Sequence, residues 1–335
     1  MRPILRRGLP LCHARFRPST RGFSSAPGVK RNLVGVRTKN EASKILEQHQ
    51  VDVYAATTLI QSLGKEKQFD ACQWVVEYLL EAGKEPNAIT FATALRWGCG
   101  GSKSRVERLM ATMEAARCAL IPDALNAAIG AFGKARAVGN AFEVLDLFDK
   151  HRLPTDVRTH NNLLAACSQA GDWKRAMQWL ESMRSSGVAP NIVSYNTVMA
   201  ACRRGGAWRE ALELFAIVRH SKTLRPTAIT FNDTLSACAR GREGRLALQL
   251  LEEMEEAGLA PDLFSYSAVM VACTGAGLAE EALGLLELAE QRGLEWDRAL
   301  VIGGIDACTA LGLHEVAVGM LAHYELNTAR PAAGG

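Results

Sequence analysis

The sequence predicts an all-α fold, a solenoid of about eight stacked helix–turn–helix units. Three observations carry that expectation. The dipeptide Ala-Cys returns at Cys167, Cys202, Cys238, Cys273 and Cys308, at intervals of 35, 36, 35 and 35 residues. A fixed interval of that size marks a repeat architecture. Apolar residues lead up to each Cys at helical spacing, and Pro-Asn or Pro-Asp steps close several of the intervals.

The helix leading to each Cys is legible from its stripe. Tyr195, Val198, Met199 and Cys202 stand at i, i+3, i+4 and i+7, one face of a helix. The same slots hold His160, Leu163, Leu164 and Cys167, then Phe231, Thr234, Leu235 and Cys238, then Tyr266, Val269, Met270 and Cys273. Upstream they hold Ala56, Leu59, Ile60 and Leu63, and Leu125, Ala128, Ile129 and Phe132. A Cys slot that accepts Leu or Phe is a packing slot, because a free Cys behaves as a small hydrophobe. Zinc needs four converging donors, usually from C-x-x-C pairs, and none of the nine Cys has that spacing. An odd Cys count also gives no disulfide framework.

A short polar break follows each stripe: SQAGDW (168–173), RRGGAW (203–208) and TGAGLA (274–279). Second helices start there, as KRAMQWLESMRSSG, REALELFAIVRHSK and EEALGLLELAEQRG. Pro86-Asn87, Pro190-Asn191 and Pro261-Asp262 lie beyond the helix stops. Gly near a stop permits the left-handed turn that ends a helix, and Pro cannot continue one. WGCGGSKS (97–104) reads as a loose turn between helices, and no segment alternates as a strand would. Thr159, Ser194, Thr230 and Ser265 read as N-caps of the first helices. That leaves Asn161, Asn196 and Asn232 outside both cap and apolar stripe.

The segment IVSYNTVMAACRRGGAWREALELFAIVRHSKTLRPT resembles the pentatricopeptide repeat, with its V-T-Y-N-T opening, A-C step, E-A-L-x-L-F second helix and P-D ending. The tetratricopeptide repeat, with a period of about 34, has W-x-x-L-G-x-x-Y in its first helix. Tyr195-Asn196-Thr197 stands here instead. The resemblance runs from about residue 53 to 332 and implies units 1 to 8 at 53–87, 88–121, 122–156, 157–191, 192–227, 228–262, 263–297 and 298–332. Unit 2 is short and ends irregularly at CALIPD, and unit 8 lacks the Pro-Asp ending. Residues 39–52 are then an N-terminal helical cap.

What the resemblance implies is a right-handed superhelix that binds single-stranded organelle RNA, one base per unit, through two side chains. These are the fifth and last residues of a unit. Here the implied pairs are Thr57/Asn87, Asn126/Asp156, Asn161/Asn191, Asn196/Thr227, Asn232/Asp262 and Ser267/Asp297. Amides and hydroxyls offer donors and acceptors to a base edge without net charge. By the family's pattern these pairs imply A, U, a pyrimidine, a pyrimidine, U and G. Ala92/Ile121 and unit 8 imply nothing, so the site reads 5′-A-N-U-Y-Y-U-G-3′. The second residue sandwiches bases in the family. Ile89, Val193, Ile229 and Phe264 fit that role, whereas Asp123, Arg158 and Ala299 break it.

Residues 1–32 hold seven Arg, one Lys and no acid, and are rich in Ser. That composition predicts a mitochondrial transit peptide over residues 1–23, with an upper bound near residue 32, and a chloroplast peptide as the alternative. Arg21-Gly22-Phe23 resembles a cleavage site. No run is apolar enough to predict a membrane span. The whole chain carries 39 Lys and Arg against 35 Asp and Glu, so loss of the six Arg in 1–23 leaves 33 against 35. A slightly acidic chain is a poor non-specific nucleic-acid binder, but cations gathered on one face suffice for a groove. Lys65, Lys134, Arg204 and Arg240 share one slot at first-helix ends and are candidates for phosphate contact.

No catalytic motif, nucleotide loop or metal-ligand spacing predicts an enzyme or a cofactor. Two functions remain. One is sequence-specific RNA binding in stability, processing or translation, alongside RNA-processing proteins. The other is a helical scaffold or mitochondrial-ribosome-associated protein acting through protein contacts. A cationic inner face favours the first, an apolar one the second.

Overall fold

A computed structural model describes residues 26–34, 36 and 38–328. The expected transit peptide, its cleavage site and residues 329–332 of unit 8 lie outside them. Every regular element among the described residues is an α-helix. Two precede the array, α1 (Ala26–Leu33) and α2 (Lys39–Gln48). Then come α3 (Val53–Lys65) with α4 (Phe69–Glu81), α5 (Ala88–Trp97) with α6 (Lys103–Ala115), α7 (Pro122–Lys134) with α8 (Val138–Lys150), and α9 (Val157–Ala170) with α10 (Trp173–Ser185). The remaining pairs are α11 (Ile192–Gly205) with α12 (Trp208–Arg219), α13 (Ala228–Gly241) with α14 (Gly244–Glu256), α15 (Leu263–Ala276) with α16 (Ala279–Gln291), and α17 (Arg298–Ala310) with α18 (His314–Thr328).

The odd-numbered helices from α3 to α17 pack on one another in a continuous layer. Each even-numbered helix of the array packs on its own partner, and those from α4 to α16 also pack on the first helix of the next unit. This two-layer stack is an α-solenoid. It follows from the stripe, since a helix pair cannot bury its apolar face alone and each neighbour covers it. All the stripe residues named above are buried, His160 and Thr234 included. Small residues set the spacing. A Cβ on Gly64 would stand 2.5 Å from the Trp97 Cβ, so only Gly lets α3 and α5 approach there.

The five periodic Cys are buried free thiols. Burial pushes the thiols of Cys167, Cys202 and Cys238 up to about 12, and that of Cys273 to about 11. A thiol held protonated in this way is inert packing material.

Three local features differ from the sequence reading. The breaks are tighter, because α9 continues to Ala170 and α10 starts at Trp173, with Gly171 turning at φ 74°. The N-caps are three residues earlier. Asp156, Asn191, Thr227 and Asp262 accept from the backbone N–H of Thr159, Ser194, Thr230 and Ser265. In three of the four the Ser or Thr hydroxyl answers back to the cap's own N–H, a capping box. The third difference is α1, which the sequence reading did not contain. It buries Val29 and Leu33, packs on α3, and Lys30 pairs with Glu66 at 2.5 Å. Beside it, α2 packs on α4, with Lys39 bridging Glu77 and Glu81 at 2.9 and 2.7 Å.

Candidate nucleic-acid interface

The capping geometry brings the fifth and last residues of a unit together. The last residue caps the next first helix, so its side chain is held at that helix's N-terminus. One turn into its own first helix, the fifth residue points at the same junction. Asn232 Nδ2 lies 3.4 Å from both Asp262 carboxylate oxygens. Asn196 Nδ2 donates to Thr227 Oγ1 at 3.2 Å, and Ser267 Oγ donates to Asp297 Oδ2 at 2.9 Å.

A third residue locks each Asn. The hydroxyls of Ser194, Thr230 and Ser265, at position three of the next unit, each donate to the Oδ1 of Asn161, Asn196 and Asn232 at 2.7 Å. The amide oxygen is thereby engaged, which fixes Asn196 and Asn232 with Nδ2 toward Thr227 and Asp262. Unit 1 uses a variant, with Thr57 and Thr90 hydroxyls 2.9 Å apart and Thr90 held by Asn87. Asn161, Asn196 and Asn232 are half-buried, and Ser267 is buried.

Unit 3 departs from this arrangement. Asn126 is only 5% exposed, and its Oδ1 has no partner. Asp156 caps α9 and accepts from the Thr159 hydroxyl at 3.0 Å, and it makes no bond to Asn126. Asn126 therefore lies deeper than the half-buried Asn161, Asn196 and Asn232 of the same slot.

The second residues form an exposed row. Ile89, Val193, Ile229 and Phe264 are 62, 54, 63 and 48% exposed, unlike the buried stripe of the same helices. Tyr54, 73% exposed, extends the row into unit 1 and escaped the sequence reading, although its slot was legible. In the middle of the row Arg158 Nη2 pairs with Asp123 Oδ1 at 2.8 Å.

The four candidate phosphate contacts are all exposed at first-helix ends. Each also reaches a neighbouring unit. Lys134 Nζ donates to the Arg96 carbonyl at 3.4 Å, and Arg204 Nη1 to the Ser168 carbonyl at 3.0 Å. Lys65 sits over the Trp97 ring, and Arg240 Nη1 reaches Gly206. Lys134 and Arg204 thus satisfy C-terminal carbonyls of the preceding first helix, where the dipole also favours a cation.

Charge separates between the two layers. First helices α3 to α17 carry eight Lys and Arg against three Asp and Glu. Their second-helix partners carry ten against twenty-one. A nearly neutral chain is therefore polarised, with its acids gathered on the second helices and depleted from the helices that bear the polar pairs. Among the described residues no cluster could hold a metal ion, and no helix is long and apolar enough to cross a membrane.

Comparison with known proteins follows the same lines. A model described as pentatricopeptide repeat domain matches residues 143–204 and 217–276, and one described as PPR repeat matches 193–220 and 264–294. No curated protein matches the chain. Among solved structures, the chain is similar to the pentatricopeptide repeat protein PPR10 in complex with an 18-nt psaJ RNA element, at TM-score 0.47 and 20% identity over 91% of this chain and 55% of that one. PPR10 from maize gives 0.45 and 20%, over 92% and 55%. The PPR domain of Arabidopsis thaliana protein-only RNase P 1 in complex with tRNA gives 0.45 and 15%, over 51% and 90%. The chain spans about half the length of PPR10.

Proposed function

The chain belongs to the pentatricopeptide repeat family, and from that premise we propose that it binds single-stranded RNA along its first-helix layer. The carrying observation is the charge split. The first helices carry eight Lys and Arg against three acids, or against seven with their N-caps Asp52, Asp156, Asp262 and Asp297, while the second helices carry ten against twenty-one. Affinity comes from bases stacking in the row of second residues and from phosphate contacts at Lys65, Lys134, Arg204 and Arg240. Selection comes from the pairs at the unit junctions, each base meeting a locked Asn or Ser and its partner.

The reading includes a mitochondrial location, with a leader removed near Phe23. Val29 and Leu33 support a cut before Ala26, because a cut near residue 32 would strip most of α1 from α3. The mature protein acts in RNA stability, processing or translation, with catalysis left to partner proteins.

The test is a competition assay with mature protein and variants of 5′-A-N-U-Y-Y-U-G-3′. Asn232→Thr shifts its position from U toward G, with Asp262 unchanged. Equal binding of every single-base variant would defeat base reading and leave the helical scaffold, acting through protein contacts, as the better account. N-terminal sequencing of the protein from isolated mitochondria checks the leader.

A further inference from the structure

Resting on that RNA-binding reading, we infer that unit 3 reads no base, and that a pocket spanning units 2 to 4 seats a backbone phosphate there instead. The pocket has a volume of about 270 Å³. Three cations line it: Arg96 from α5, Lys134 from α7 and Arg158 from α9. No carboxylate lines it. The contrast with the other cavities is plain. The 870 Å³ groove between α6 and α8 includes Glu107, Glu114 and Glu143, and a 360 Å³ cleft at α14 includes Glu252, Glu253 and Glu256.

The cations have donors to spare. Arg96 makes no side-chain hydrogen bond or ion pair among the described residues and is exposed. Lys134 spends one donor on a long 3.4 Å contact, and Arg158 spends one nitrogen on Asp123. Two guanidinium forks and one ammonium suit an oxyanion with several acceptor oxygens. The floor is open as well, because a Cβ on Gly130 would meet nothing within 4 Å.

Base reading fails at the same place for three independent reasons. Unit 2 offers Ala92 and Ile121, which have no side-chain donor or acceptor. Asn126 of unit 3 is sunk and unlinked to Asp156. The sandwiching slots hold Asp123 and Arg158, bound to each other, where a base needs an apolar platform. Stacking surface is lost where anion-binding capacity is gained.

The experiment uses mature full-length protein and labelled RNA of the sequence above, read by fluorescence anisotropy. Each internucleotide linkage is replaced in turn by a neutral methylphosphonate. One linkage beside the second to fourth nucleotides should show about a tenfold loss, the size of one charge-assisted contact. Arg96→Gln should abolish that linkage dependence and lower the salt slope by about 0.7. Gly130→Leu keeps every charge and favours the helix, yet fills the pocket, and should do the same to the linkage dependence. Base changes at the third nucleotide should leave affinity unchanged, while those opposite unit 6 should not.

Two results overturn the inference: a third-position preference for U as large as that at unit 6, or linkages that all respond alike. Inorganic phosphate that protects wild type but not Arg96→Gln against heating, with no linkage effect, would make this a free-anion site and overturn it too. Failure of RNA to bind at all would instead sink the proposed function beneath it.

Discussion

Units 3 and 6 carry the same pair, Asn126 with Asp156 and Asn232 with Asp262, and the fold treats them differently. In unit 6 the Ser265 hydroxyl grips Asn232 Oδ1 and aims Nδ2 at Asp262. In unit 3 the equivalent Thr159 donates to Asp156 alone, and the Asn126 oxygen is left buried and unbonded. The neighbours at the second slot differ too, apolar Ile229 and Phe264 against the Asp123–Arg158 ion pair. The same two residue types are thus held differently according to the third residue beside them.

The largest expected effect ignores the contrast and so calibrates it. Phe91 and Phe231 fill the same core slot and are 0 and 1% exposed. Truncating either to Ala should cost about 3–5 kcal/mol in urea unfolding. A cost confined to one half would mean that the halves differ in packing rather than in polar chemistry.

Next in size is binding. Asn232→Ala should reduce affinity for the preferred RNA about tenfold and flatten selection at its base, whereas Asn126→Ala should change neither, by the same anisotropy titration. Comparable losses would erase the distinction between the two units. Stability should split the same way on a smaller scale. Asn232→Leu strands the Ser265 hydroxyl's bond and should cost about 1 kcal/mol, while Asn126→Leu removes an unpaired buried oxygen and should be neutral or stabilising.

The smallest effect is a pH dependence at the border between the two regions. His160 takes the slot of Tyr195, Phe231 and Tyr266, stacks on Trp179, and both its ring nitrogens are buried without partners. Burial lowers its pKa from the ordinary 6.5, so the folded state binds the proton less readily than the unfolded chain. The resulting stability is intact above pH 6.5 and is lost as pH falls below it toward the folded value. His160→Phe should flatten the Tm profile over that window, and an unchanged slope would assign the acid sensitivity elsewhere.

The stripe residues were legible because helical spacing and burial are the same fact seen twice. Cap positions were not, since Ser, Thr, Asn and Asp all cap, and a capping box places two such residues three apart. Helix α1 was missed because Val29 and Leu33 stand alone in a basic, Ser-rich stretch with no periodic partner. The sinking of Asn126 left no trace in its own slot. Its neighbours did carry a signal: Asp123 and Arg158 are opposite charges 35 residues apart in the same slot, which in a repeat array means side by side.

The hydroxyl-to-fifth-residue bridges also couple one unit to the next. They join units 1 and 2, 4 and 5, 5 and 6, and 6 and 7. Between units 2 and 3, 3 and 4, and 7 and 8 there is none among the described residues; Lys134 on the Arg96 carbonyl and Arg158 on Asp123 join the first two instead. The two apolar clusters of the core change over near unit 3, from one reaching Ala166 to one starting at Val138. A linear array yields at the boundary between its cores. Pulled from its ends in an optical trap, the protein should therefore extend in two steps and not one, with the break falling near unit 3.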